Sequence, residues 1–196
     1  MKPKWRYNAR LAVKKGVKVT QYEIDKFDAF YELLKETATR DGILIHSYTY
    51  YRTLLECNWY SGLKPDFRLY LAEHDGDLLS GIITMFWKKQ AVYLYGASSG
   101  FKRSLMAPYA LQLKAMEDAI SSGCETYDLY GIPPNADPAH SMAGLFLFKT
   151  GFGGKIIHRM GCWDYRLMPF RYNLFSKVEK IRSYNRNTRK NIKKSK

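Results

Sequence analysis

Residues 145–154 place Lys149 at the end of an aromatic, apolar run (Leu145, Phe146, Leu147, Phe148), with Thr150, Gly151, Phe152, Gly153 and Gly154 directly behind it. Such a run buries the stem of a lysine, and glycines leave open space for its ammonium. A fixed cation in a partly dry site stabilises negative charge where it develops, as on the oxyanion of an acyl transfer. The same spacing also describes an amphipathic helix with a snorkelling lysine and a glycine C-cap. Spacing alone leaves both readings open. Phe148 and Phe152 either shape a channel around the lysine or belong to the core. Gly151, Gly153 and Gly154 either permit close backbone approach or simply stop a helix.

Other chemistry-bearing residues fall at strand ends and on helix faces. Asp128 and Tyr130 sit at the end of a short strand over 126–130 and share one face of it. There Asp128 orients an amine, pairs with Lys149, or hydrogen-bonds the loop at Gly131. Tyr93 and Tyr95, two apart, are expected on one strand face, lining a ligand groove or packing the sheet. His46 and Tyr50, four apart, share a face if their segment is helical. His74 and His158 have no partner in sequence and read as structural or solvated. No Ser-His-Asp or His-carboxylate spacing supplies a general base, so the proton transfer is expected to be assisted by the substrate. Cys57, Cys124 and Cys162 fit neither a disulfide framework nor a zinc motif, and only four histidines are scattered along the chain, so no metal site is expected.

The elements that must hold these residues follow from periodicity. Residues 6–15 form a short basic helix stopped by Gly16, and 17–19 a strand. Thr20 with Glu23 matches a capping box ahead of a helix carrying Ile24, Phe27, Phe30, Tyr31, Leu34 and Ala38. Ser47 caps a second helix through Tyr50, Tyr51, Leu54 and Leu55. Residues 68–95 alternate as three antiparallel strands, with an Asp-Gly hairpin signal at Asp75 and Gly76. A helix over 108–122 ends at Gly123. A strand over 126–130, a helix over 141–150 and a final strand over 156–167 complete the order. The fold class is mixed α/β, with one central, mostly antiparallel sheet flanked by helices. No G-x-G-x-x-G follows a strand and no Walker motif occurs, which excludes a doubly wound nucleotide fold.

Composition bounds the rest. A chain of 196 residues is one domain, read as 1–170, with a basic helix or tail over 171–196. No segment reaches about 18 uncharged apolar residues, and the start lacks an apolar secretory core, so a cytoplasmic, reducing setting is expected. The net charge of +14 is uneven. Residues 1–18 hold seven Lys/Arg and no acid, and residues 171–196 hold ten Lys/Arg against Glu179 alone. Residues 19–170 are near neutral. Polycationic ends read as contacts to phosphates, of RNA or of anionic lipid headgroups. In the C-terminal segment, Tyr172, Phe175, Val178, Ile181 and Tyr184 recur every three residues among the basic ones.

The order of elements resembles the GNAT acyltransferase fold. Residues 6–17 (Arg6, Tyr7, Asn8, Ala9, Arg10 onward) are similar to the basic opening segment of a Fem-type (FemABX) aminoacyl ligase domain. The stretches 127–133 and 148–154 are similar to that family's most recognisable pair of motifs. Thr37 to Gly42, then His46, Tyr50 and Tyr51, fit the same pattern, and the match runs collinearly over 1–167. The resemblance implies transfer of an amino acid from aminoacyl-tRNA to the stem-peptide amine of a peptidoglycan precursor, either UDP-linked or lipid-linked. It implies that Lys149 stabilises the oxyanion, and that this chain corresponds to the second of two GNAT-like domains. A partner GNAT-like domain and an anionic membrane are further expected contacts. The stretch 98–108 has one glycine where an acetyl-CoA pyrophosphate loop needs several, so no cofactor is expected. The alternatives are a non-catalytic module binding tRNA or precursor, and a GNAT-like N-acyltransferase with another donor.

Overall fold

The structure, a computed structural model, describes the backbone of residues 1–56 and 65–194 and the side chains through residue 184. Cys57 lies outside the described residues. The chain divides into two units, Met1–Lys155 and Ile156–Lys196.

In the first unit the elements run α1 (Pro3–Lys14), β1 (Lys18–Tyr22), α2 (Phe27–Asp41), α3 (Tyr48–Glu56), β2 (Asp66–His74), β3 (Asp77–Trp87), β4 (Gln90–Ser98), α4 (Ala107–Ser121), β5 (Thr126–Asp128) and α5 (Ala143–Gly151). Pro3 starts α1, where its missing N–H costs nothing, and Gly16 ends it in the left-handed region at φ 85°. The capping box expected at Thr20 does not form. Thr20 lies in β1 opposite Leu71, and α2 begins only at Phe27, after one 3-10 turn over Ile24–Lys26. Once Thr20 enters the ladder, its backbone is extended and no longer precedes a helix. Ser47 does cap α3, accepting from the Tyr50 N–H at 3.3 Å.

The strands lie in the order β1-β2-β3-β4-β5. β1 to β4 form an antiparallel meander, and α4 carries the chain over to β5, which lies parallel to β4. The β2–β3 hairpin turns at Asp75 and Gly76, both with positive φ, as a tight primed turn requires. Alternation along β2 sends Tyr70 and Ala72 into a core with α1 and α4, and Leu69 and Leu71 into a second core with α2 and α3.

Two irregularities of β4 decide where the candidate residues lie. Ile83 pairs with Tyr95 and the next residue, Thr84, pairs with Tyr93, which leaves Leu94 as the extra residue of a β-bulge. The insertion reverses the alternation. Tyr93 packs on the α1/α4 side and Tyr95 on the α2/α3 side, so the shared face expected for these two tyrosines is not found. The β4–β5 ladder is also short, covering only Gln90 to Val92 on β4. From Tyr93 onward, that flank of β4 has no strand partner among the described residues.

The second unit contains α6 (Pro169–Lys194). The final strand expected over 156–167 is absent: those residues have no regular structure and are exposed. Their apolar pattern suits a strand, but they join no ladder, and a strand without a partner leaves its backbone groups to water.

Candidate functional site

Lys149 lies on α5, nine residues long and mostly apolar, which carries its charge into the protein. Only 6% of the residue is exposed. Its Nζ donates to the Gly131 carbonyl at 3.0 Å and lies 5.0 Å from the centre of the Tyr93 ring. Carbonyl dipole and ring quadrupole both favour a cation there. Burial nevertheless lowers the Lys149 pKa to about 8, while the Asp128 carboxylate acts in the opposite sense.

The carbonyl partner is set by the turn after β5. The strand ends at Asp128, whose Oδ1 accepts from the Tyr130 N–H at 2.7 Å. Tyr130 takes a left-handed backbone, φ 64°, which a non-glycine residue adopts only at a cost. Of the roles considered for Asp128, the structure displays the hydrogen bond to its own loop, with a field acting on Lys149. Tyr130 therefore leaves the strand face it was expected to share with Asp128, and its side chain is exposed.

Aromatic rings wall this side. Phe148 meets Phe152 edge-on at 5.1 Å and Tyr109 of α4 at 5.3 Å, and Trp5 of α1 packs on Tyr109 at 5.9 Å. Trp5 Nε1 donates to the Phe148 carbonyl at 2.8 Å, and the Lys2 N–H donates to the Gly151 carbonyl at 2.9 Å. A Cβ on Gly151 would overlap the Trp5 ring, so this glycine is required for α1 to close on α5. Gly153, at φ 88°, turns the chain beside the Met1 amino group. Trp5 and Tyr109 did not emerge from the sequence as site residues. Their signal was a lone tryptophan in a basic amphipathic helix and a tyrosine beside a helix-starting proline, and neither pattern is specific.

The other face of the sheet holds a second group. The Tyr50 and Tyr95 hydroxyls lie 3.0 Å apart. His46 stacks on Tyr50 with centroids 4.1 Å apart and planes 27° apart, although it precedes α3 rather than belonging to it. Buried Tyr51 meets Tyr95 edge-on at 4.9 Å, and its hydroxyl accepts from the His46 N–H at 3.3 Å. Desolvation and then the Tyr50 hydrogen bond raise the Tyr95 pKa, with a smaller contribution from Tyr130. On the Lys149 side, burial raises the Tyr93 pKa to about 12, and the missing side chain of Gly96 makes room for the Tyr93 hydroxyl.

The predicted residues thus form two groups. Lys149, Tyr93, Phe148, Phe152, Gly151 and Gly153 gather on the α4 side, and His46, Tyr50 and Tyr95 on the α2/α3 side; Asp128, beside Tyr127 of the α4-side core, acts on Lys149 from the end of β5. The β4 bulge lies between them. In the loop before α4, the Glu36 carboxylate already accepts from Ser99 Oγ at 3.1 Å and from the Gly100 N–H at 2.9 Å.

The model of the FemAB family matches residues 1–73 and 68–180. This chain belongs to the FemAB family. A lipid II:glycine glycyltransferase of Staphylococcus epidermidis is 26% identical over 232 residues, covering 89% of this FemAB chain and 56% of the relative. The crystal structure of FemX superposes with a TM-score of 0.71 at 23% identity, over 78% of this chain and 54% of FemX. An aminoglycoside acetyltransferase from an uncultured soil metagenomic sample superposes with a TM-score of 0.55 at 12% identity, over 80% and 99%. These superpositions agree with a GNAT-like α/β fold. The FemAB chain spans little more than half the length of the family relatives it matches.

Proposed function

We propose that this FemAB chain is the aminoacyltransferase domain of a peptidoglycan bridge-forming enzyme. It moves an amino acid from aminoacyl-tRNA to the stem-peptide amine of a precursor. The single observation that carries the reading is Lys149, a nearly buried cation held on a backbone carbonyl and an aromatic face. Such a group is prepared for the oxyanion of an ester under attack. The S. epidermidis relative, named for glycyl transfer to lipid II, supports the substrate class.

The two groups of residues suit two substrates. The ester carbonyl of the donor lies against Lys149, with Phe148 and Phe152 excluding water. The acceptor amine approaches from the Tyr50–Tyr95 side, past the point where the β4–β5 ladder ends. A neutral amine attacks the carbonyl and the C–N bond forms. The bond to the ribose oxygen breaks, and the amine proton passes to that oxygen. An acceptor that arrives as an ammonium first releases one further proton to solvent. With its pKa near 8, Lys149 keeps its charge at neutral pH while retaining little hydration to lose.

The test uses the purified chain, charged tRNA, and precursor in UDP-linked or lipid-linked form, with and without the remaining region of a FemAB relative. Amino-acid transfer that Lys149→Ala suppresses is the expected result. Absence of transfer in every combination, with Lys149→Ala indistinguishable from the parent, sinks the reading. The same test has a second possible outcome, a non-catalytic module that binds tRNA or precursor. Saturable binding of either ligand without turnover would select it.

A further inference from the structure

The second unit carries a surface that holds none of the proposed site residues. Met160, Trp163, Tyr165, Leu167 and Phe170 are each more than four-fifths exposed. On α6 exposed Phe175 lies to one side, beside Arg182, and the exposed apolar side chains continue through Leu174, Val178, Ile181 and Tyr184. At 100° per residue these four and Phe170 fall in one stripe along the helix. Arg171 and Arg182 border the stripe on one side and Lys180 on the other, with Lys177 inside it. Tyr172, Ser176, Glu179 and Ser183 occupy the opposite face. From residue 171 to 196 the sequence holds ten Lys/Arg and one acid.

A stripe of large apolar groups flanked by long cationic side chains is suited to the boundary between lipid headgroups and acyl chains. The apolar groups enter the acyl region, and the Lys and Arg stems extend outward to anionic headgroups. Trp163 and Tyr165 add rings of the kind that settle at that boundary. No helix among the described residues is long and apolar enough to cross a membrane, so the contact is peripheral. Nucleic acid explains the charges but gives the five stripe residues nothing to cover them. A second copy of the chain covers the apolar stripe but brings like charges together. Of these three, an anionic lipid surface complements both properties.

We infer that α6, with the aromatic segment before it, docks this protein on an anionic membrane surface. This inference stands apart from the transfer reading: the vesicle experiment involves no turnover, so either can fail alone. The probe is co-sedimentation of the full chain with phosphatidylglycerol vesicles and, separately, with phosphatidylcholine vesicles. Binding to phosphatidylglycerol is expected to be at least about tenfold tighter and to weaken with salt. The double variant Phe170→Asp, Leu174→Asp should lose about tenfold or more of that binding, with the thermal unfolding of the first unit unchanged. Trp163 emission should shift to the blue on binding, and Trp163→Phe should remove that shift. Equal binding to both vesicles, or no loss in the aspartate variant, overturns the inference. So does concentration-dependent self-association with no vesicle binding. Retained tRNA binding by an aspartate variant that never bound vesicles as the parent chain would assign the charges to nucleic acid instead.

Discussion

On the α4 face of the sheet, one cation, Lys149, lies over the Tyr93 ring with 6% of the residue exposed. On the α2/α3 face, Tyr50, Tyr95 and His46 meet in a hydroxyl-rich group, and Tyr50 is 43% exposed. The first arrangement is dry and charged, suited to holding charge that forms during a reaction. The second is rich in hydroxyls and partly open to water, suited to orienting a polar group without trapping it. One inserted residue, Leu94, separates them by sending Tyr93 to one side and Tyr95 to the other. The difference shows how a single strand serves two environments on opposite faces of one sheet.

Several substitutions would break or sharpen this contrast. The largest effect is expected from Lys149→Ala, with a loss of about 10²–10³ in kcat, read by single-turnover transfer. An unchanged rate would mean that the dry face carries no charge stabilisation. Next is the pH dependence of stability. The folded Lys149 pKa, about 8, lies below its ordinary value of 10.5, so the unfolded chain binds more protons between those values. The stability of the parent relative to Lys149→Met therefore rises with pH through that window, by up to about 3 kcal/mol. Denaturant titrations of both proteins at pH 7 and pH 10 would measure it, and a pH-independent difference would show a well-hydrated lysine. Gly151→Ala should cost about 1–3 kcal/mol in thermal unfolding, because the new methyl group forces Trp5 away from α5. Smallest is Tyr95→Phe, which removes one hydroxyl of the Tyr50 pair. It should raise KM for the acceptor by roughly fivefold with little change in kcat, near 1 kcal/mol. A matching fall in kcat would instead place the open face in the chemistry.

Much of this arrangement was legible in the residue pattern. The meander, its Asp75–Gly76 hairpin, α4 and α5 all announce themselves through local periodicity and turn chemistry, and Lys149 stands out because a charge closes an apolar run. The bulge does not announce itself. Leu94 is one more apolar residue in an apolar strand, and only its pairing with β3 reveals that it is extra. The Thr20 capping box misled because the same residue satisfies a ladder with β2, a contact some 50 positions away in sequence that local spacing does not encode. Residues 163–167 alternate as a strand would, yet alternation reports suitability for pairing and not the presence of a partner. The stack of His46 on Tyr50 was anticipated as a helical face, but it arises from a residue just outside the helix.

The bond from Trp5 to the Phe148 carbonyl joins residues 143 positions apart. It has a consequence for the order of assembly. Contacts that close so long a loop form late in folding, after the local hairpins and helices are in place. During synthesis α1 emerges before the other elements of the first unit and waits for almost all of them before α5 can lock against it. The lysine at the centre of the proposed chemistry is therefore among the last groups to be desolvated. Before α5 closes on α1 the amine is hydrated, and its dry surroundings exist only once the first unit is complete.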